Sequence, residues 1–273
     1  GNPLVELAER ANVQLVETDG DDIVVYDSDG DPIESVEIEE VVERFDDLDP
    51  TDQRSLAEIL DDELGDADPR TRALARYVLT SLVEHDEAAS IDDLRPASIE
   101  LGEVFAGPDI VVSDGYSRIL DPLLDGIGID VGQVVTAVAH DDDGVTIALA
   151  DGPSRRSKRV LVTAPLGVLK AGDISFEPPL PAGKQAAIDR LGVGVLDRVV
   201  LRFDERFWDD RTIIGFVGNE PSLFVEWYDL TDLTGTPIIV GFNAGDVADA
   251  LTTRSDQRII EAALRALTTI YGS

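Results

Sequence analysis

The spacing of apolar residues changes twice along this chain, and that change constrains the fold more than any other feature. Up to about residue 35, and again beyond Leu94-Arg95-Pro96, apolar and polar residues alternate as in half-buried strands. Between Ser35 and His85 the apolar residues recur every three or four positions, as in helices. A helical stretch of roughly fifty residues set between β-rich segments predicts an α/β fold of mixed α and β character.

Within that frame, Leu4, Leu7 and Ala8 predict a short helix over 3–11, and the runs Val13 to Val16 and Ile23 to Tyr26 read as a hairpin behind it. The insert divides into helices over Val36 to Phe45, Pro50 to Leu64 and Asp68 to His85, the last with Leu74, Val78 and Leu82 on one buried stripe. Asp49-Pro50 and Asp68-Pro69 read as helix starts, with the acid as cap and proline at the first helical position. Beyond the insert, Ile110 to Val112 predicts a strand and Ser117 to Asp125 a helix closed by Gly126. Ile129 to His140, the turn Asp141-Asp142-Asp143-Gly144 and Val145 to Leu149 form a hairpin, and Arg159 to Thr163 a strand halted at Ala164-Pro165. A helix from Ala182 to Leu191 precedes strands at Arg198 to Phe203, Ile213 to Val217, Leu223 to Trp227 and Ile238 to Phe242. The last helix runs from Ser255 to Tyr271 with Ile260, Leu264, Leu267 and Tyr271 as its buried stripe.

Charge narrows the function classes. Fifty-six acidic against 22 basic residues give a net charge of -34 over 273 residues, which repels phosphate backbones and anionic lipid and excludes nucleic acid and membrane surfaces as partners. The acid is spread from Asp19 to Asp256, and the only lysines are Lys158, Lys170 and Lys184. That pattern reads as a halophilic acidic surface, adapted to a salt-rich solvent in which screening shortens repulsion to about 3 Å, more than as a field for a cationic ligand. No apolar run reaches the roughly 20 residues of a membrane span, and no signal peptide opens the chain, so a soluble, unprocessed, cytoplasmic protein is expected. Cysteine is absent, which removes disulfides, thiol nucleophiles and thiolate metal sites.

Several motifs dissolve on inspection. Asp27-Ser28-Asp29-Gly30-Asp31 has acids at calcium-loop spacing, but Pro32 stands where glycine is required and Ile38 where a bidentate glutamate is needed, leaving a solvated turn. Gly126-Ile127-Gly128-Ile129-Asp130-Val131-Gly132 follows a helix and precedes a strand, the reverse of a dinucleotide fingerprint. His85 and His140 have no metal or triad spacing and read as surface residues, and carboxylates are too abundant to single out an acid/base pair. No metal site is expected.

The most specific signal is a block from Val160 to Trp208. It comprises Val160-Leu161-Val162-Thr163-Ala164-Pro165-Leu166-Gly167-Val168-Leu169-Lys170, Ile174-Ser175-Phe176-Glu177-Pro178-Pro179-Leu180-Pro181, Leu191-Gly192-Val193-Gly194, and Val199-Val200-Leu201-Arg202-Phe203 ending at Phe207-Trp208. In this order the block resembles the flavin-dependent amine oxidases, which include monoamine oxidases, polyamine oxidases and the flavin-type histone demethylases. Gly1-Asn2-Pro3-Leu4, Gly107 to Gly115-Tyr116-Ser117, and Trp227 with Ala244-Gly245 extend the resemblance over nearly the whole chain. Independently of it, the run into Ala164-Pro165 exposes backbone where α/β folds bind cofactors, and Pro178-Pro179-Leu180-Pro181 is a stiff connector.

The resemblance implies part of an FAD-binding domain joined to a substrate domain with a mixed sheet and a helical insert. Its divisions fall at 1–35 (helix and hairpin leading from the FAD domain), 36–97 (helical insert), 98–164 (FAD-binding portion) and 165–273 (substrate-binding). It implies FAD as cofactor, main-chain contacts to FAD at Val135 and at Thr163, Ala164 and Pro165, and oxidation of a small-molecule amine by hydride transfer. An imine or aldehyde would result, with dioxygen as the second substrate and hydrogen peroxide as product. Arg198 stands where the family carries a lysine that holds a water near the flavin; arginine is bulkier and stays charged, and a pairing with Asp197 or another acid is the alternative. Trp227 matches an aromatic lining the substrate cavity, with core packing as the alternative. The family's opening glycine-rich FAD segment and its closing flavin segment have no counterpart here, so an inactive internal fragment is expected. A desaturase, a protoporphyrinogen-type oxidase or a non-catalytic scaffold of the same fold remain alternatives.

Overall fold

Asn2 accepts the backbone N–H of Leu4 through Oδ1 at 3.0 Å, and Pro3 takes the first helical position, so the first helix starts where its sequence predicts. The computed structural model describes residues 2–45, 48–99, 107–113, 115–218 and 223–272. Gly1, Asp114 and Ser273 lie outside the described residues. The helices are α1 (Pro3–Ala11), α2 (Ser35–Val42), α3 (Leu56–Leu64), α4 (Pro69–Leu79), α5 (His85–Glu87), α6 (Pro96–Ile99), α7 (Tyr116–Leu124), α8 (Leu166–Ala171), α9 (Ala182–Arg190), α10 (Thr231–Thr234), α11 (Gly245–Leu251) and α12 (Asp256–Tyr271). The strands are β1 (Leu15–Thr18), β2 (Ile23–Tyr26), β3 (Asp109–Val112), β4 (Val135–Asp141), β5 (Gly144–Leu149), β6 (Arg155–Ser157), β7 (Ser175–Glu177), β8 (Leu196–Arg202), β9 (Ile213–Phe216), β10 (Glu226–Asp229) and β11 (Ile238–Ala244). The mixed α/β class expected from the sequence is the one found. Two compact units result, Gly1–Leu123 with Gly194–Ser273, and Leu124–Val193.

In the first unit the expected N-terminal hairpin does not form. β1 lies antiparallel to β3, with Leu15 opposite Val112, whereas β2 runs parallel to β9. Asp22 supplies the reason. Its carboxylate accepts the N–H of Thr212 at 3.0 Å and pairs with Arg211 at 2.7 Å, tying the start of β2 to the start of β9. The Arg211 guanidinium holds that carboxyl below its usual value. Alternation identifies a strand but not its partner.

The insert departs from its sequence reading at two points. Asp49-Pro50 makes a turn, Asp49 Oδ1 accepting from Thr51 N at 2.8 Å, and α3 starts only at Leu56 behind a capping box of Ser55 and Glu58. α4 begins as expected at Pro69, capped by Asp68, but runs into a π-helical turn over Thr80–Glu84. The wider turn rotates the residues beyond it: Leu74 and Val78 are buried while Leu82, expected on the same stripe, is 55% exposed. Ser81 and His85 turn toward the sheet instead, which overturns the reading of His85 as a surface residue.

That sheet has the order β2-β9-β10-β11-β8, antiparallel except for β2 with β9. One face buries Val199, Leu201, Ile214, Trp227 and Ile239 against Ala262, Ala263, Ala266, Leu267 and Ile270 of α12. Ile260 and Leu264, expected on the buried stripe, are exposed; the alanine side of α12 is the one that faces the sheet. The other face packs Val25, Val217 and Val225 against Leu56, Leu64, Leu74 and Val78 of the insert. Gly215 permits the approach, since a Cβ there would lie 2.2 Å from the Tyr77 hydroxyl. β10 starts at Glu226 and not at Leu223 because Phe224 is left-handed, at φ 57°, and its N–H is taken at 2.8 Å by Asn243 Oδ1.

Tyr26 of β2 and Tyr271 of α12 both donate to Asp209 Oδ2, each at 2.8 Å, with their rings edge to face. Burial, and then the bond to Asp209, pushes Tyr26 up to about 12, and burial raises Tyr271 as well. The folded chain thus holds these protons more tightly than the unfolded one. Their contribution is complete below the ordinary tyrosine value of 10 and is lost as pH rises through about 12. Denaturant midpoints should fall over that window, and the double variant Tyr26→Phe, Tyr271→Phe should fall less steeply; parallel slopes would contradict the assignment.

In the second unit the sheet order is β6-β5-β4-β7, with the expected hairpin at β4 and β5. β4 starts at Val135, after a turn at Gly132, and not at Ile129. The strand expected over Arg159 to Thr163 is not formed. The Ser157 hydroxyl donates to the Arg159 carbonyl at 2.8 Å as β6 ends, and residues 158–163 beyond it belong to no helix or strand.

Candidate functional site

A single rung of the five-stranded sheet carries the chemistry. Register places Val25 opposite Gly215, Gly215 opposite Glu226, Glu226 opposite Phe242 and Phe242 opposite Arg198. Directly opposed residues share a face, so an acid, an aromatic ring and a base stand in one row on the side away from α12. The insert covers this row from one end: Tyr77 sits over Gly215, Ser81 and His85 sit over Glu226, and the His85 ring lies 6.2 Å from Phe242. Arg198 and the next residue on its face, Val200, are exposed.

Glu226 is 5% exposed. Ser81 Oγ donates to its Oε2, and His85 Nδ1 lies 3.5 Å from Oε1. Burial raises Asp86, with the charge of Glu226 as the second cause, and does the same to the Tyr77 and Tyr228 hydroxyls. Both tyrosines therefore keep their protons at neutral pH. A buried carboxylate with two hydroxyl donors, Ser81 and Tyr228, and one imidazole still has acceptor capacity left over, which a cation can use.

Arg198 forms no ion pair among the described residues, and its neighbour Asp197 occupies the opposite face of β8. Trp227 lies in the same sheet on that opposite face. It is fully buried, 5.4 Å from Phe224 by ring centroid and closely packed over Gly241, an environment that core packing describes. The structure thus puts Arg198 and Trp227 on different faces. Val135, Thr163, Ala164 and Pro165 belong to the other compact unit. Val135 opens β4, and the segment into Thr163 belongs to no helix or strand, with Leu161 86% exposed. Backbone groups left outside a sheet at Thr163 and Ala164 fit a group recognised through the main chain, whereas the Pro165 carbonyl already accepts from Val168 and Leu169 N–H at 3.0 and 3.2 Å.

Sequence reading missed Glu226, Ser81, His85, Asp86 and Tyr228. The available signal was Glu226 itself, a charge between Val225 and Trp227 in an otherwise apolar run. Asn2 to Leu4 and, far away in sequence, Gly107 to Ile110 with Tyr116 line one groove of about 660 Å³ together with residues of α1 and β3. Among the described residues no group of acids or histidines could hold a metal ion, and no helix is long and apolar enough to cross a membrane.

Comparison with known proteins places this geometry. A family model described as flavin containing amine oxidoreductase matches residues 20–273. The chain is 34% identical over 180 residues to polyamine oxidase 4 of Oryza sativa subsp. japonica, covering 66% of this chain and 37% of that protein. It is 30% identical over 283 residues to polyamine oxidase 2 of Arabidopsis thaliana, covering 94% and 57%. It thus spans less than two thirds of either relative. A wild-type putrescine oxidase solved with putrescine superposes with a TM-score of 0.74 at 17% identity, over 98% of this chain and 68% of that one, and so shares the fold. FAD is the cofactor of the family that these matches identify, as the resemblance implied. On the family match, which spans all but the first residues, the chain belongs to the flavin containing amine oxidoreductases.

Proposed function

We propose that the protein of which this chain is part oxidises a diamine or polyamine, with Arg198 at the reacting end of the substrate and Glu226 at the remote end. The row Arg198, Phe242, Glu226 carries this reading. Adjacent strands lie about 4.8 Å apart, so Arg198 and Glu226 are separated by about 10 Å of backbone, which suits two nitrogens joined by a short chain. FAD, when bound, would supply the acceptor for a hydride from the carbon next to the uncharged nitrogen, and dioxygen would take up the two electrons and give hydrogen peroxide.

The chain's own residues orient and discriminate. Glu226 offers its free lone pairs to the remote ammonium and, being buried, attracts it with little screening. Phe242, edged by Tyr228 at 5.3 Å, gives the methylene chain an apolar floor. Arg198 can donate to a water or to an anionic group at the exposed end of the row, and its fixed positive charge disfavours an ammonium there, which leaves the uncharged nitrogen at that end. Main chain at Val135 and at Thr163, Ala164 and Pro165 would hold FAD. The divisions at 35, 97 and 164 belong to the same proposal, as do dioxygen as second substrate and a cytoplasmic location.

Amine-dependent peroxide release by the flavin-loaded full-length protein tests the function. Turnover of diamines or polyamines is expected. No turnover of any mono-, di- or polyamine with FAD demonstrably bound would overturn it.

A further inference from the structure

Beside His85 lies a small, partly open cavity of about 30 Å³, lined by Arg76, Tyr77, Thr80, His85, Phe242 and Asn243 among others. Three of its lining residues carry buried polar atoms without a hydrogen-bond partner, the Tyr77 hydroxyl, His85 Nε2 and Asn243 Nδ2. Tyr77, His85 and Asn243 are 4%, 9% and 3% exposed. Asn243 is oriented by its other end, because Oδ1 accepts the N–H of Phe224 at 2.8 Å, so its NH2 group must face away from that bond. His85 is oriented by Glu226, 3.5 Å from Nδ1. A carboxylate at Nδ1 calls for a proton on that nitrogen, which leaves Nε2 of the neutral ring as an acceptor.

The lining therefore offers donors at Asn243 and Tyr77 and an acceptor at His85, each unsatisfied, around a space large enough for a water. An orphaned buried polar group costs about 1–3 kcal/mol, and a water that makes two or more hydrogen bonds removes that cost for the groups it bridges.

We propose that this cavity is a buried-water site shared by Asn243 and His85, and that it holds His85 neutral with its proton on Nδ1, making His85 a positioning residue for Glu226. The water accepts from Asn243 Nδ2 and donates to His85 Nε2. Thr80 and the Tyr77 hydroxyl, whose proton is retained, line the remaining wall. With His85 neutral, Glu226 keeps an uncompensated negative charge. The groups facing the pair are Ser81 and Asp86 from the insert side and Tyr77 and Tyr228 around the carboxylate; the one cation of the cavity lining, Arg76, is paired with Glu84 at 3.0 Å. The consequence for amine recognition rests on the proposed role of Glu226. The tautomer does not, and it is read without flavin or amine, so the two can fail separately.

The chain has only two histidines, and His140 is exposed, which gives an internal reference. Long-range nitrogen-15 to proton spectra of the 273-residue chain near neutral pH should show His85 Nδ1 protonated and Nε2 unprotonated. A high-resolution crystal structure should show one solvent peak between Nε2 and Asn243 Nδ2. The variant Asn243→Asp keeps the acceptor for Phe224 and removes the donor; it should shift the His85 Nε2 resonance toward the protonated form and leave His140 unmoved. A proton on Nε2 in the parent chain, an empty cavity, or an unshifted His85 in Asn243→Asp would each overturn the proposal. If that variant fails to fold, the parent spectrum and the solvent peak still decide.

Discussion

Replacing Glu226 with glutamine should weaken binding of a diamine by about 10- to 100-fold and leave a monoamine of matching length within about twofold. The range comes from a hydrogen bond to a charged group, worth about 1.5–3 kcal/mol, against about 1.4 kcal/mol per tenfold. Glutamine keeps the shape and can still accept from Ser81, so the loss reports charge more than packing. Paired KM values for the two substrates, measured on flavin-loaded parent and variant, check this. Equal losses for both amines would assign Glu226 a structural role. The proposal that His85 is neutral sharpens the expectation, since an imidazolium at 3.5 Å would already cancel much of the charge that glutamine removes.

The second large effect is on stability. Trp227→Ala should cost about 3–5 kcal/mol, as large-to-small changes of buried aromatic residues do. The indole is fully enclosed between Phe224, the backbone of Gly241 and the α12 layer, so little can collapse into the space it leaves. Trp227→Phe should cost less and, in the folded variant, leave KM for the amine within about twofold, because the ring faces away from the row of Arg198 and Glu226. Chemical denaturation measures the first, steady-state kinetics the second. A Trp227→Phe variant of unchanged stability with a KM raised severalfold would put the indole back in the substrate cavity.

Much of the fold was legible because local physics decided it. Asn2-Pro3 and Asp68-Pro69 start helices as read, though the same Asp-Pro pair at 49–50 makes only a turn, and Asp141 to Gly144 closes a hairpin between two alternating runs. What failed depended on neighbours distant in sequence. Nothing in Val13 to Tyr26 tells β1 to pair with β3 some ninety residues on, or β2 with β9 nearly two hundred on. The π turn at Thr80 to Glu84 carries no composition signal, yet it turns Leu82 out and His85 in, which is why a histidine read as superficial proved to be buried. The stripe of α12 was misread for a simpler reason. Ile259 and Ile260 are adjacent, both apolar, and periodicity alone could not choose between the larger side chains and the alanines that let the helix lie close to the sheet.

The site divides in the same way. A motif in order along the chain identified the family, and one position in it, Arg198, falls on the row that carries the proposed chemistry. Glu226 escaped because an acid among fifty-six has no weight until burial singles it out. The charge of -34 is a property of the surface; the one carboxylate that the proposed selectivity needs is among the least exposed in the molecule.

The most direct test is anaerobic mixing of the FAD-loaded full-length protein with a diamine and with a monoamine of matching length, monitoring loss of the visible flavin absorbance. The account predicts bleaching by both, with the diamine half-saturating at a concentration at least about tenfold lower. Bleaching at equal concentrations would contradict the role of Glu226, and no bleaching by any amine would contradict amine oxidation itself.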